Sequence, residues 1–222
     1  MYIPEYFRVH DQAAAVDFMR ANSFVILVSN GEDGPFASHV PVVLRQEGEQ
    51  VTIRGHFAKA NPHWRYLEKQ PQILTIFHGP HSYISPTLYT NVESVPTWNY
   101  GAIHAYGNAR LYSSPEDLQV VLHELMNTFE PSYAAQWARL DEKFRQNMLR
   151  QIVGFEIAVT KLEAKFKLGQ NRSKQDQANM MASLGRAEDT AISGVAKLMQ
   201  EQGLGICPVK VSGEERAGEE GE

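Results

Sequence analysis

Four stretches of this sequence carry side chains whose types and spacing could do chemistry. The first is Arg54-Gly55-His56-Phe57-Ala58-Lys59-Ala60-Asn61-Pro62. Alternation along a strand puts Arg54 and His56 on one face, and Asn61-Pro62 reads as the cap and first residue of a helix. Two cations, an imidazole and a helix N-terminus are the groups that cradle a phosphate, although a solvated strand edge would use the same residues. The second is Phe77-His78-Gly79-Pro80-His81-Ser82-Tyr83. The spacing of His78 and His81 suits a metal, but no neighbouring carboxylate or thiol completes a ligand set, so no metal site is expected. The third is Val95-Pro96-Thr97-Trp98-Asn99-Tyr100, where Trp98 and Tyr100 share a strand face. They could flank a planar ligand, while packing in a β-core is the commoner use of such rings. The fourth, Phe166-Lys167-Leu168-Gly169-Gln170-Asn171-Arg172-Ser173, sets two cations and two amides around a glycine. Those donors suit an oxygen-rich ring or chain, and they also suit an ordinary polar loop.

The elements that must position these residues follow from hydrophobic period and turn chemistry. Asp11 caps a helix through Arg20. Strands are expected at 24–29, 36–45 and 51–56, separated by the short polar turns 30–35 and 46–50; such connections make an antiparallel meander. A helix follows Asn61-Pro62 and ends near Gln70-Pro71. Ile73 to Phe77 reads as a β-branched strand stopped by Gly79-Pro80, and 81–96 as an ordered loop. A long strand from Thr97 to Tyr112, bulged at Gly101 or Gly107, precedes an amphipathic helix 115–129 and a second helix near 140–150. A strand at 154–162 and helices at 174–184 and 188–202 close the chain. Short turns leave no room for the helical crossovers of a parallel sheet, so a small mainly β barrel with peripheral helices is expected.

Composition narrows the functions. The formal net charge is −5, yet residues 212–222 hold five glutamates and one arginine, which leaves the body near neutral. A near-neutral body argues against a long nucleic-acid track. The single cysteine, Cys207, excludes an internal disulfide framework and zinc sites that need two thiolates. No signal peptide and no apolar run long enough to span a bilayer is present, so a soluble cytoplasmic protein without membrane contact is expected. P-loop, dinucleotide, nucleophile-elbow and HExxH motifs are all missing.

Taken in order, the segments Met1-Tyr2-Ile3-Pro4, Gly55 to Pro62, Phe77 to Pro86, Val95 to Tyr100 and Lys167 to Arg172 resemble the PaiB family of FMN-binding split-barrel proteins. The resemblance covers about the first 175 residues. The family usually has serine where this chain has Gly169. It implies a six-stranded antiparallel barrel of Greek-key type that forms a homodimer, with FMN near the dimer interface. Residues 1–172 would form the FMN-binding barrel, 173–211 C-terminal helices packed on it or on the dimer partner, and 212–222 a disordered acidic tail.

By the same resemblance, Arg54, His56 and Lys59 would hold the FMN phosphate with Asn61 in support. Tyr83 and Trp98 would lie near the flavin plane. Lys167, Gln170 and Asn171 would reach the ring edge or ribityl chain, from the same subunit or from its partner. The family's label of negative transcriptional regulator suggests DNA as a partner, which the charge does not support; a regulatory role would be indirect. The alternatives are a flavin-dependent oxidoreductase of unassigned substrate, with Tyr83, His81 and Tyr100 as candidate proton donors, and a haem-binding split barrel.

Overall fold

The structure is a computed structural model and describes residues 1–205. Cys207 and the acidic segment 212–222 lie outside the described residues. Six antiparallel strands close into a barrel: β1 (Phe24–Asn30), β2 (Pro35–Glu47), β3 (Gln50–Ala58), β4 (Gln72–Ile84), β5 (Thr97–Tyr112) and β6 (Ile152–Lys167), in the order β1-β2-β3-β6-β5-β4. Closure leaves no unpaired sheet edge among them. The alternation read from sequence sets the inner face. On β3, Val51, Ile53, Gly55 and Phe57 are buried, whereas Thr52, Arg54 and His56 point outward and are half-buried. Phe57, Phe77, Phe155 and Phe166 are fully buried among Leu27, Ile53, Ile103 and Ile157. Each such ring contributes about 1.5–3 kcal/mol by leaving water.

Two strands run further than their sequence predicts. β4 does not stop at Gly79-Pro80; its register against β5 shifts between His78 and His81, and pairing resumes to Ile84. A bulge absorbs the proline that would otherwise lack a ladder donor, so part of the expected loop is strand. β6 starts at Ile152 and continues to Lys167, because its second half pairs with β5 after leaving β3. The expected bulge in β5 is instead on its neighbour: opposite the Tyr106/Gly107 step the extra residue is Thr160 of β6, where a Cβ on Gly107 would sit 2.3 Å from the Ala158 carbonyl oxygen.

Helices close the outside. α1 (Gln12–Ala21), capped by Asp11, sends Phe18 against Phe166 with ring centroids 4.9 Å apart. α2 (His63–Lys69) covers the end of the barrel where β3 finishes. Between β5 and β6 the chain makes a helical excursion: α3 (Pro115–Phe129), α4 (Tyr133–Arg139), which the sequence reading missed, and α5 (Glu142–Leu149). The buried side chains of α3, Val121 and Leu125, pack on Val43 of β2. α6 (Lys174–Leu184) and α7 (Thr190–Glu201) pack against each other and onto the barrel, with Val195 and Met199 fully buried.

Candidate functional site

The outer face of β3 is only partly free. Arg54 Nε donates to Glu156 on β6 at 2.6 Å, and its Nη1 donates to Glu124 on α3 at 3.0 Å. Arg45 on β2 also pairs with Glu124. Burial alone would lower the Arg54 pKa, but Glu156 and Glu124 outweigh it and raise it. The guanidinium therefore sits beneath a helix with its charge already neutralised by two carboxylates. His56, one turn of the pleat away, is held below its usual pKa by burial, and its Nδ1 has no hydrogen-bond partner. The imidazole is neutral and its unpaired Nδ1 is buried, so only the half-exposed side of the ring can face a ligand.

Beyond β3 the predicted phosphate residues separate in role. Lys59 is exposed and enters no ion pair among the described residues. Asn61 is committed to the fold: its Oδ1 accepts from the His63 N–H at 3.0 Å, and its Nδ2 donates to Ser38 Oγ at 2.9 Å. It caps α2 as expected, although Pro62 stands one residue before the helix instead of opening it. His63, fully buried against Phe57 and Phe36, has its pKa lowered to about 4 by burial. Of this cluster, Lys59 and His56 keep free chemistry.

The remaining predicted residues gather at the other end of the barrel. Tyr83 and Trp98 face each other across β4 and β5, edge to face at 6.3 Å, and each is 52% exposed. His81 stacks beside Trp98 at 5.8 Å and His78 beside His81 at 5.0 Å, so the outer face carries an aromatic strip. Lys167 at the end of β6 lies opposite Tyr100 and donates to Thr97 Oγ1 and to the Trp98 carbonyl. Burial lowers its pKa, helped by the cations Lys165 and Arg172. Gln170 closes the turn after β6, accepting from Leu168 N–H and donating to the Phe166 carbonyl. Gly169 makes that turn at φ +80°, a conformation glycine adopts freely, with Met180 filling the adjacent space. Asn171 is exposed beside Lys167 at the mouth of a cavity of about 200 Å³.

Sequence reasoning placed Lys167 here but left two neighbouring cations out of the site. Lys165 is buried, with its ammonium over the ring of Tyr100 at 5.2 Å and hydrogen-bonded to the Tyr2 carbonyl. Arg172 lies over Tyr89 at 3.9 Å. The cationic spacing in the sequence was visible; the aromatic rings beneath the charges come from residues 65 or more positions away.

The two groups lie at opposite ends of β6. Arg54 pairs with Glu156 and Tyr100 with Lys167, eleven residues on, or about 35 Å of extended strand. One mononucleotide cannot reach from Arg54 to Lys167 along a single chain. The donor set of the second group suits a flavin nucleotide: three cations without carboxylate partners among the described residues, side-chain amides, and exposed rings of the size of a tricyclic system.

Comparison with known proteins agrees in kind. Residues 1–161 match the model of a family described as "Putative FMN-binding domain". The chain is 36% identical over 204 residues to the protease synthase and sporulation protein PAI 2 of Bacillus subtilis, covering 91% of this chain and 98% of that protein. Among solved structures, the FAD and heme binding protein from Mycobacterium smegmatis superposes with a TM-score of 0.56 at 14% identity, covering 77% of this chain and 78% of that one. The flavocytochrome Anf3 from Azotobacter vinelandii superposes with a TM-score of 0.55 at 16% identity, covering 74% and 72%. At these identities the two structures speak to the split-barrel fold alone.

Proposed function

The chain belongs to the FMN-binding domain family and is an FMN-binding split barrel, and from that premise we propose that it works as a homodimeric flavoprotein whose cofactor lies between two copies. What carries this reading is the division of the free donors into two half-sites at opposite ends of one barrel. A two-fold interface is self-complementary, so it sets the Lys59 end of one copy against the Lys167 end of the other, twice. In that arrangement Lys59 and His56 meet the phosphate. Tyr83 and Trp98 of the other copy cover the ring, and Lys167, Gln170 and Asn171 stand at its edge and side chain. Both exposed rings are then buried by the partner.

Bound FMN supplies two-electron redox chemistry, and the protein's part is to orient the ring and keep water from it. Any influence on gene expression passes through the flavin's state and not through direct reading of DNA, because the near-neutral body offers no basic track. A reducing cytoplasm suits the single cysteine. Among the described residues no helix is long and apolar enough to cross a membrane.

Complementation tests the shared site. Lys59→Glu and Lys167→Glu are each expected to abolish FMN uptake, read as flavin absorbance and fluorescence quenching in the purified protein. Co-expressed and isolated as a heterodimer, the two variants leave one undamaged site of every two, so about half the FMN returns. A heterodimer that binds none overturns the shared arrangement; wild-type protein that takes up no FMN removes the cofactor reading itself.

A further inference from the structure

The cavity beside Lys167 holds a feature that ring orientation does not require. The Arg172 guanidinium lies over the Tyr89 ring at 3.9 Å, and its side chain has no carboxylate or hydrogen-bond acceptor among the described residues. Its five N–H donors are thus held over the ring and unspent. Lys167 turns two of its three donors to Thr97 and Trp98, which leaves one for the cavity. Asn99, 1% exposed, lines the same space, and its amide nitrogen finds only the Met180 sulfur at 3.8 Å. No aspartate or glutamate lines this cavity.

Tyr89 is itself braced. Asp176, buried on α6, accepts from both the N–H and the hydroxyl of Thr90, at 2.7 and 3.0 Å. These bonds, the one from the Thr90 N–H foremost, hold its carboxyl below the usual range, so it remains an acceptor at neutral pH. Asn179 donates to the Leu88 carbonyl at 3.1 Å. The segment carrying Tyr89 is therefore tied on both sides to α6, and the ring is fixed beneath the guanidinium. A protein that needed Arg172 only for solubility would have no use for such bracing.

We propose that this cavity is a receptor for a small oxyanion, with Arg172 as its principal donor, Lys167 and Asn99 as secondary donors, and Tyr89 as the residue that positions Arg172. About 200 Å³ accommodates a phosphate or carboxylate with a short stem and no whole nucleotide. The chemistry is shared by two sources: the phosphate of FMN, in which case the half-sites described above exchange ends of the cofactor, or the acidic group of a separate small substrate brought beside the flavin ring. The inference rests on the FMN reading only for that choice of source.

Inorganic phosphate is the probe for the cavity, titrated calorimetrically into protein with and without FMN; FMN and riboflavin are titrated into the cofactor-free protein. Arg172→Gln, Tyr89→Phe and Tyr89→Leu are compared with wild type after their unfolding temperatures confirm folding. If the cavity takes the FMN phosphate, Arg172→Gln narrows the preference for FMN over riboflavin by about tenfold or more, and FMN-loaded protein binds no phosphate. If it takes a separate anion, the preference is unchanged, FMN-loaded wild type binds phosphate, and Arg172→Gln loses that binding. In either case Tyr89→Phe keeps the wild-type behaviour and Tyr89→Leu follows Arg172→Gln, which marks Tyr89 as positioning through its ring. Phosphate binding to cofactor-free protein supports the cavity even should FMN fail to bind. The proposal is overturned if Arg172→Gln alters neither the flavin preference nor phosphate binding.

Discussion

Two ends of one strand treat positive charge in opposite ways. Near the start of β6, Arg54 meets Glu156 and, across from α3, Glu124, which also takes Arg45. At its far end Lys165, Lys167 and Arg172 gather without a carboxylate among the described residues, supported by the rings of Tyr100, Phe7 and Tyr89. The first arrangement spends its charge on the fold, because a cation matched by acids clamps a helix to a sheet. The second pays electrostatic repulsion to keep charge unspent, which is useful only where an anion will come. The contrast teaches that the cation count of a sequence says little until each cation's acid is found.

The largest expected break in this contrast comes from Glu156→Ala. It leaves Arg54 half-buried with one acid shared with Arg45, and removing one partner of a buried pair costs more than the pair is worth. Discounted for the residual exposure of the group, the loss is about 2–3 kcal/mol, an unfolding temperature lower by about 4–10 °C. FMN affinity measured well below that temperature should be unchanged. A loss of affinity with intact stability would return Arg54 to the phosphate role its sequence suggested.

Lys167→Ala should do the reverse. Affinity for FMN falls about tenfold, since a charge-assisted hydrogen bond is lost. Stability holds or rises slightly, because a cation crowded by Lys165 and Arg172 and depressed by burial is gone. Equal affinity with lowered stability would make Lys167 a structural tie between β6 and the Thr97–Trp98 backbone.

A smaller effect separates Asn61 from Lys59. Asn61→Ala removes the cap on the His63 N–H and the bond to Ser38, a loss of about 1 kcal/mol in chemical denaturation. Lys59→Ala should leave stability alone and weaken FMN. If Asn61→Ala weakens FMN as much as Lys59→Ala does, the turn binds as a unit.

Much of this was legible in the sequence where the signal is local. Alternation and two short polar turns gave the β1-β2-β3 meander, and Asp11 and Asn61 marked helix starts that the structure places within a residue or two. The Gly79-Pro80 break misled because a bulge can absorb a proline, and nothing local distinguishes a bulged strand from an ended one. The partners of Arg54 could not be read, since Glu124 lies 70 residues away and Glu156 102. The same distance hid the site's best feature: Thr97 and Trp98 reach Lys167 only because β5 and β6 pair. Residue types announced the chemistry, and pairing at long range decided which of them were free to perform it.

The mildest perturbation, alkaline pH, distinguishes the two ends without altering a residue. Lys167 has its pKa lowered by burial and by two neighbouring cations, while that of Arg54 is raised by its acids, so only Lys167 loses charge on the approach to the ordinary lysine value. The signs for folding and binding are opposite. A base whose folded pKa is depressed charges more easily in the unfolded chain, so its protonation penalises the fold at low pH. That penalty is relieved as pH climbs through the window below about 10.5. A ligand acceptor held by the Lys167 ammonium is bound more weakly over the same window. Affinity for FMN compared at about pH 8 and about pH 10 should thus fall severalfold in wild type beyond any fall in Lys167→Arg, whose guanidinium stays charged. Taking the ratio of the two proteins cancels ionisation of the flavin itself. A ratio that does not move with pH would mean that Lys167 keeps its proton on account of Thr97 and Trp98 alone, and the contrast would then rest on Arg172.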